Sequence, residues 1–164
     1  MHQGQVEAGI VGARPSSRQF AIEPLWQDRL VLVVPADHRL SGRKRVSAKE
    51  IAEEPFIMRE EGSGTRKLLE AVFATNDIEL PPVTATLSST TAVKEAVCAG
   101  LGMTLLSERA VRKEAATGIL ALIELRGLRF ERNFLWITDR QRTLSPLCQR
   151  FSKYLRETHA AIPR

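Results

Sequence analysis

The sequence is poor in the side chains that carry redox, metal and covalent chemistry. Its 164 residues include two cysteines, three histidines and one tyrosine. Cys98 and Cys148 lack the paired spacing of a zinc site or a disulfide framework, which predicts reduced core thiols. His2 lies at one end, His38 in a basic turn and His159 near the other end, so none is placed as a general base beside Ser63 or Ser89. Glu60 and Glu61 are adjacent and project differently, poor geometry for a two-carboxylate acid/base pair. The run Gly62–Arg66 lacks the Gly-Lys-Ser/Thr ending of a phosphate-binding loop. These absences predict a binding protein rather than an enzyme, with no metal and no cofactor. No apolar run approaches the roughly 18 residues of a membrane span. The opening residues Met1 to Gln5 lack the charged-then-apolar pattern of a secretory leader, so a cytoplasmic protein is expected.

What is present suits one compact domain or two small lobes: 43% of residues are apolar and 26% charged. Lys and Arg number 24 against 19 Asp and Glu, a net charge of +5, which raises nucleic acid as a possible partner. The basic stretch Arg126–Arg142 interleaves Phe130, Phe134 and Trp136, the composition of a single-strand stacking platform. A plainer reading is preferred. Asn133–Thr138 alternates as a strand, so its aromatics pack inward while the arginines stay solvated.

Strands alternate with helices along the chain. Val6–Val11 reads as a buried strand ending at Gly12, and Ala13–Pro24, with two prolines and two serines, as irregular connection. Leu30–Val34 is a continuous apolar run stopped by Pro35, the pattern of a strand covered on both faces. After a polar turn at Asp37–Arg45, Ser47–Glu53 suits a short helix and Phe56–Met58 a strand. A helix opens at Gly62–Thr65, carries Leu68, Leu69, Val72 and Phe73 on one face and ends near Asn76. Val83–Leu87 is the next strand. Ser88–Thr91 starts a helix that presents Val93, Ala96, Val97 and Leu101, with Gly100 placed to end it. Met103–Leu106 is a strand, Ser107 a candidate cap, Arg109–Ala116 a helix, and Leu120–Leu125 and Asn133–Thr138 are strands. The last helix starts at Ser145 and Pro146, with Leu147, Phe151, Tyr154 and Leu155 as its apolar stripe.

Strands spaced by helices of this length predict a largely parallel sheet flanked by helices. Successive strand-to-helix turns of such a sheet emerge on one edge, where ligands bind. Three of those turns carry hydroxyls: Ser63 and Thr65, then Ser88, Ser89, Thr90 and Thr91, then Ser107. Helix N-termini leave about four backbone N–H groups without internal partners and carry partial positive charge, so these turns suit a carboxylate or similar anion, with Arg66 adding a charge-assisted bond. Each hydroxyl also has an ordinary capping role, and Arg66 stands four residues before Glu70, its natural helical partner.

Five stretches in order and spacing carry a resemblance: GQVEAGIVG at Gly4–Gly12, PLWQDRLVLVVPADHRL at Pro24–Leu40, EIAEEPFIMREEGSGTR at Glu50–Arg66, STTAVKEAVCAGLGMTLL at Ser89–Leu106 and LSPLCQRFSKYL at Leu144–Leu155. Through them the chain resembles the effector-binding domain of LysR-type transcriptional regulators from about Gln3 to His159. The resemblance implies an α/β, periplasmic-binding-protein-like domain of two lobes, with mostly parallel sheets flanked by helices. The first lobe would take about residues 4–45 and 130–160, the second about 51–125. It implies a small inducer, anionic on the evidence of the turns, in a cleft contacted by Ser88, Ser89, Thr90 and Gly12 and lined or rimmed by Ser63, Thr65 and Arg66. Closure on the inducer would alter a subunit interface of a homo-oligomer, a dimer in such regulators. DNA would be read only by an N-terminal winged helix-turn-helix outside this sequence. The opening strand-helix-strand of the family's first lobe also has no counterpart here, so that lobe is expected to be incomplete. Two rival classes share the scaffold: a solute-binding protein of transport type, which would carry an export signal, and a small α/β enzyme, which would need a base near the hydroxyl turns.

Overall fold

A computed structural model describes residues Val6–Ala160. His2, and the Gly4 and Gln5 that open the first matched stretch, lie outside the described residues. The chain divides into two compact units, one formed by the chain up to Gln27 and from Arg132 onward, the other by Asp28–Glu131. The boundary differs from the expected one. Residues 28–45, assigned from sequence to the first lobe, pack in the second unit, because Leu30–Val34 supplies that unit's central strand.

In the second unit, β2 (Phe20–Pro35) enters at Asp28. The unit continues with β3 (Arg45–Val46), a short 3-10 turn at Ala48–Ile51, β4 (Phe56–Arg59), α1 (Gly64–Thr75), β5 (Val83–Leu87), α2 (Thr90–Cys98), β6 (Thr104–Ser107), α3 (Glu108–Ala116) and β7 (Leu120–Leu125). The expected parallel pairing is found between β4 and β5, between β3 and β7, and at the bridge from Phe56 to Met103 that joins β4 to the start of β6. The pairings of β2 are antiparallel: Leu30 faces Ser107 on β6, and Leu32 faces Ile123 on β7. A strand that enters the unit directly, without a helical crossover, is free to run against its neighbours.

The alternating geometry of β2 explains its unbroken apolar run. Leu30, Leu32 and Val34 point to a core with Phe56, Met58, Leu69, Phe73, Met103, Leu105 and Phe130. Val31 and Val33 point the other way, against Val93, Val97, Leu106, Val111 and Leu120. Both faces are covered, as the composition predicts. Helix α2 ends as expected, with Gly100 at φ +74°, a left-handed conformation that glycine adopts without steric cost.

In the first unit, β1 (Ala8–Val11) pairs antiparallel with β8 (Glu131–Asp139), Ala8 facing Thr138, and β8 lies beside β2. Phe20–Pro24, expected to be irregular, is strand. Pro24 is exposed there, where its missing N–H costs little. Helix α4 (Pro146–Ala160) starts where predicted, with Ser145 Oγ accepting from Cys148 N at 3.2 Å and donating to Glu7 at 2.7 Å. Its face is turned by one position from the expected stripe. Of that stripe Leu155 alone is half-buried, beside the buried Ser152 and the half-buried Cys148, whereas Leu147 and Tyr154 are 80% and 60% exposed. Phe151 alone of the outer stripe meets an aromatic partner, Trp136, edge-on at 5.8 Å.

The aromatics of the basic stretch are absorbed in packing. Phe130 lies against Phe73 in the second unit, while in the first Trp136 is buried and Phe134 packs on Trp26 with Arg132 stacked 4.8 Å over its ring. Cys98 and Cys148 are unpaired and half-buried, and desolvation holds both thiols above the ordinary thiol range. No helix of the described residues is long and apolar enough to cross a membrane.

Across the second unit's sheet runs a ladder of alternating charge. Glu108 on α3 bonds Arg29 on β2, Arg29 bonds Glu124 on β7, and Glu124 bonds Arg45 on β3, at 2.6, 3.1 and 2.8 Å. These groups wall an open groove of about 500 Å³ floored by Val31 and Leu122. The Arg29 guanidinium holds the Glu108 carboxyl below the ordinary carboxylate range, and Arg45 does the same for Glu124. A folded-state pKa below the unfolded one gives stability that is present above the unfolded value, near 4.3, and lost as pH falls through the folded value. The melting temperature is therefore expected to hold through neutral pH and fall below about pH 4.5. Arg29→Gln should flatten that fall in a set of thermal melts from pH 3 to 7.

Candidate functional site

The site is built where two parallel strands of the second unit run out side by side. Arg59, the last residue of β4, is in register with Leu87, the last of β5, and Glu60 N donates to Leu87 O at 3.2 Å. Parallel neighbours deliver their following helices to the same sheet edge. The turns carrying Ser63 and Ser89 thus open on one side of the unit.

Each turn leaves helical N–H groups without internal acceptors. In α1 the first helical bond is from Lys67 N to Ser63 O, so the amides of Gly64, Thr65 and Arg66 precede the ladder. Ser63 stands at the N-cap with φ −59° and ψ 129°, is 9% exposed, and makes no side-chain capping bond. In α2 the cap is conventional: Ser89 Oγ accepts from Ala92 N at 3.0 Å, and Val93 N donates to Ser89 O. Neither first turn contains an acidic residue, so nothing on the helices themselves neutralises the positive ends of their dipoles.

The other expected residues are placed as follows. Ser88 and Ser89 are exposed and Thr90 half-buried. Thr65 is buried behind Ser63, 6% exposed and already bonded within the protein. Arg66 is engaged, with Nε on Glu70 at 2.7 Å and a long bond from an η nitrogen to Arg59 O at 3.4 Å. Ser107 drops out. Its hydroxyl donates to the buried carboxylate of Asp28 at 2.6 Å and makes no capping bond to α3, so the third turn offers no free hydroxyl. Gly12 belongs to the first unit, just past β1. A Cβ there would stand 3.4 Å from the Arg132 guanidinium and 3.5 Å from the Phe134 ring, ordinary contact rather than a clash.

Sequence reasoning passed over Arg59. Its side chain is 16% exposed, Nε and one η nitrogen grip Glu60 at 2.7 and 2.8 Å, and the other η nitrogen donates to Thr90 Oγ1 at 2.9 Å. A guanidinium thus ties the end of β4 to the first residue of α2. The only signal in the sequence is a basic residue at a strand end just before a Ser-Gly turn.

The arrangement brings together the N-terminal amides of two helices, two serines and a partly neutralised guanidinium, groups of the kind that suit an anion. Among the described residues, no cluster of His, Cys, Asp and Glu could hold a metal.

The LysR substrate binding domain family matches residues 1–160. The RuBisCO operon transcriptional regulator of Acidithiobacillus ferrooxidans is 33% identical over 153 residues, 93% of this chain and 49% of that protein. The transcriptional activator CmpR of Synechocystis is 33% identical over 146 residues, 89% of this chain and 48% of that protein. The regulatory domain of Synechocystis CcmR, solved in complex with 2-PG, superposes with a TM-score of 0.90 at 27% identity, covering all of this chain and 78% of that one. The chain spans about half the length of the curated relatives it matches. Those relatives are regulators of transcription, neither enzymes nor transporters.

Proposed function

Because the chain belongs to the LysR substrate binding domain family, we propose that it is the effector-sensing domain of a LysR-type transcriptional regulator and that its β4–α1 and β5–α2 turns take a small anionic effector. The observation that carries the reading is the meeting of two helix N-termini at one sheet edge, one of them with a cap hydroxyl, Ser63, that caps nothing. Ser88, Ser89 and Thr90 contribute from the second turn. Arg66 acts at the rim, through its pairing with Glu70.

The effector works by favouring one state of the domain over another, and a tenfold preference supplies about 1.4 kcal/mol of coupling. In the whole regulator that coupling passes to DNA-binding domains through a homo-oligomer, in the cytoplasm where its target DNA lies. The 2-PG bound by the Synechocystis CcmR domain is the first ligand to try.

Calorimetric titration of the chain with 2-PG and with inorganic phosphate tests the site. Ser63→Ala removes no capping bond, so it should leave the melting temperature within about 1 °C while weakening binding three- to tenfold, the worth of one hydrogen bond. Ser89→Ala should weaken binding and also cost about 1 kcal/mol as a lost cap. Unchanged affinity in both variants would place the effector elsewhere.

A further inference from the structure

The Arg59–Glu60 pair lies at the end of β4 between the two turns, and its geometry is unlike a surface bridge. Neighbours in sequence at a strand end, the two side chains fold together into a two-pronged bond. The guanidinium is largely buried, while the carboxylate is 35% exposed. Of the five N–H donors of an arginine, two go to Glu60 and one to Thr90 Oγ1, which leaves two for another acceptor. Beside them stands Ser63, nine-tenths buried at the N-cap of α1 and making no capping bond. Arg66 in turn reaches the carbonyl of Arg59, so the same residue is held at its backbone and at its guanidinium.

We infer that Arg59 reads the charge of the effector and favours a doubly charged group such as phosphate over a singly charged carboxylate, and that Glu60 is its built-in competitor, which holds that preference down. This rests on the effector reading above. An incoming anion also meets the Glu60 carboxylate, whose repulsion grows with the anion's charge, so Glu60 opposes a dianion more than a carboxylate. A dianion with several oxygens takes the two remaining donors together with the helix amides and Ser63, and a fork of donors is geometrically suited to such an acceptor. Thr90 holds the guanidinium in plane for that encounter. Glu60 has a second use: it keeps an otherwise unpaired cation satisfied when no effector is bound.

The inference separates from a structural role for the pair by selectivity. Wild type, Glu60→Gln and Arg59→Met are titrated with 2-PG, inorganic phosphate and acetate, each variant being checked by circular dichroism and thermal melting. Glu60→Gln should bind phosphate and 2-PG three- to tenfold more tightly and acetate less than twofold more tightly. Arg59→Met should lose at least tenfold in phosphate and 2-PG affinity, with acetate changed less than threefold. Arg59→Lys, which keeps charge but not the fork, should fall between. Should Arg59→Met fold poorly, the change at the half-buried Glu60, Glu60→Gln, still decides. Binding that falls in Ser63→Ala yet keeps its phosphate-to-acetate ratio in Glu60→Gln and Arg59→Met would overturn this inference and leave the effector site standing. Failure of the wild type to bind 2-PG or phosphate would overturn both.

Discussion

Gly102→Ala is expected to lower the stability of the chain by about 3 kcal/mol or more, a fall of about 10 °C in melting temperature at this size. Gly102 has φ +150°, and a Cβ built on it would lie 2.6 Å from the carbonyl oxygen of Pro55 and 3.0 Å from its carbon. Backbone cannot swing aside as a side chain does. The same Pro55 carbonyl accepts from Met103 N at 2.9 Å, and Met103 O accepts from Ile57 N at 2.8 Å. These bonds join the start of β6 to β4, the strand that ends at Arg59. A shift large enough to admit a methyl group would break that seam and disturb the proposed anion site as well. Gly42→Ala is the control, since its Cβ would meet nothing within 4 Å, and it should stay within about 0.5 kcal/mol of wild type. Equilibrium urea unfolding of the three proteins checks both values; an alanine at 102 that costs less than about 1 kcal/mol would mean that the two segments are not locked together as described.

Phe73→Ala should cost about 3–5 kcal/mol, the range for deleting a buried aromatic side chain. Phe73 is 1% exposed, on the inner face of α1, with its ring 6.0 Å from that of Phe130. It shares a core with Leu32, Phe56, Leu69, Met103 and Ile123. Surrounding residues come from β2, β4, β6 and β7, so a void there has no single flexible segment to fill it. Phe73→Leu, which keeps most of the volume, should recover more than half of the loss. The same helix starts at the site, so Phe73→Ala should also weaken 2-PG binding by making the α1 N-terminus less ordered. The melting temperature and calorimetric affinity of the two variants provide the check. Equal losses in the leucine and alanine variants would contradict a packing role for the ring.

The parts of the fold that were legible in the sequence are those fixed by local chemistry. An apolar run at Leu30–Val34 without alternation demands cover on two faces, and two distinct cores supply it. Ser145 before Pro146 marks a helix start, and both groups do what their chemistry requires. Phe20–Pro24 was misread because a proline argues against a strand only when its N–H is needed, and need depends on a neighbour that local sequence does not name. Helix α4 shows a subtler failure. The expected stripe 147/151/154/155 shares only Leu155 with the inward face 148/152/155, and hydrophobicity favours the former, whereas the fold buries Ser152 and leaves Leu147 in solvent.

The site was legible in outline for the same reason. Serines before helices declare caps, and strand–helix alternation puts such turns on a common edge. Contacts between distant residues were not legible. Ser107 is consumed by Asp28, 79 positions away, and Arg59 reaches Thr90, 31 positions away, through a pairing that exists only once β4 and β5 are side by side. The sequence allows Arg66 either partner, an anion or Glu70, and the bond to Glu70 is the one formed.

Amide chemical-shift mapping of the isotopically labelled chain during titration with 2-PG is the most direct examination of where an effector sits. The largest displacements should fall on the backbone N–H groups of Ser63–Lys67 and Ser89–Ala92, with the Arg59 side-chain signals moving at the same ligand concentration. Saturable displacements that cluster instead around the groove of Arg29, Lys44 and Glu124, with the two helix starts unmoved, would contradict an anion site at the ends of β4 and β5.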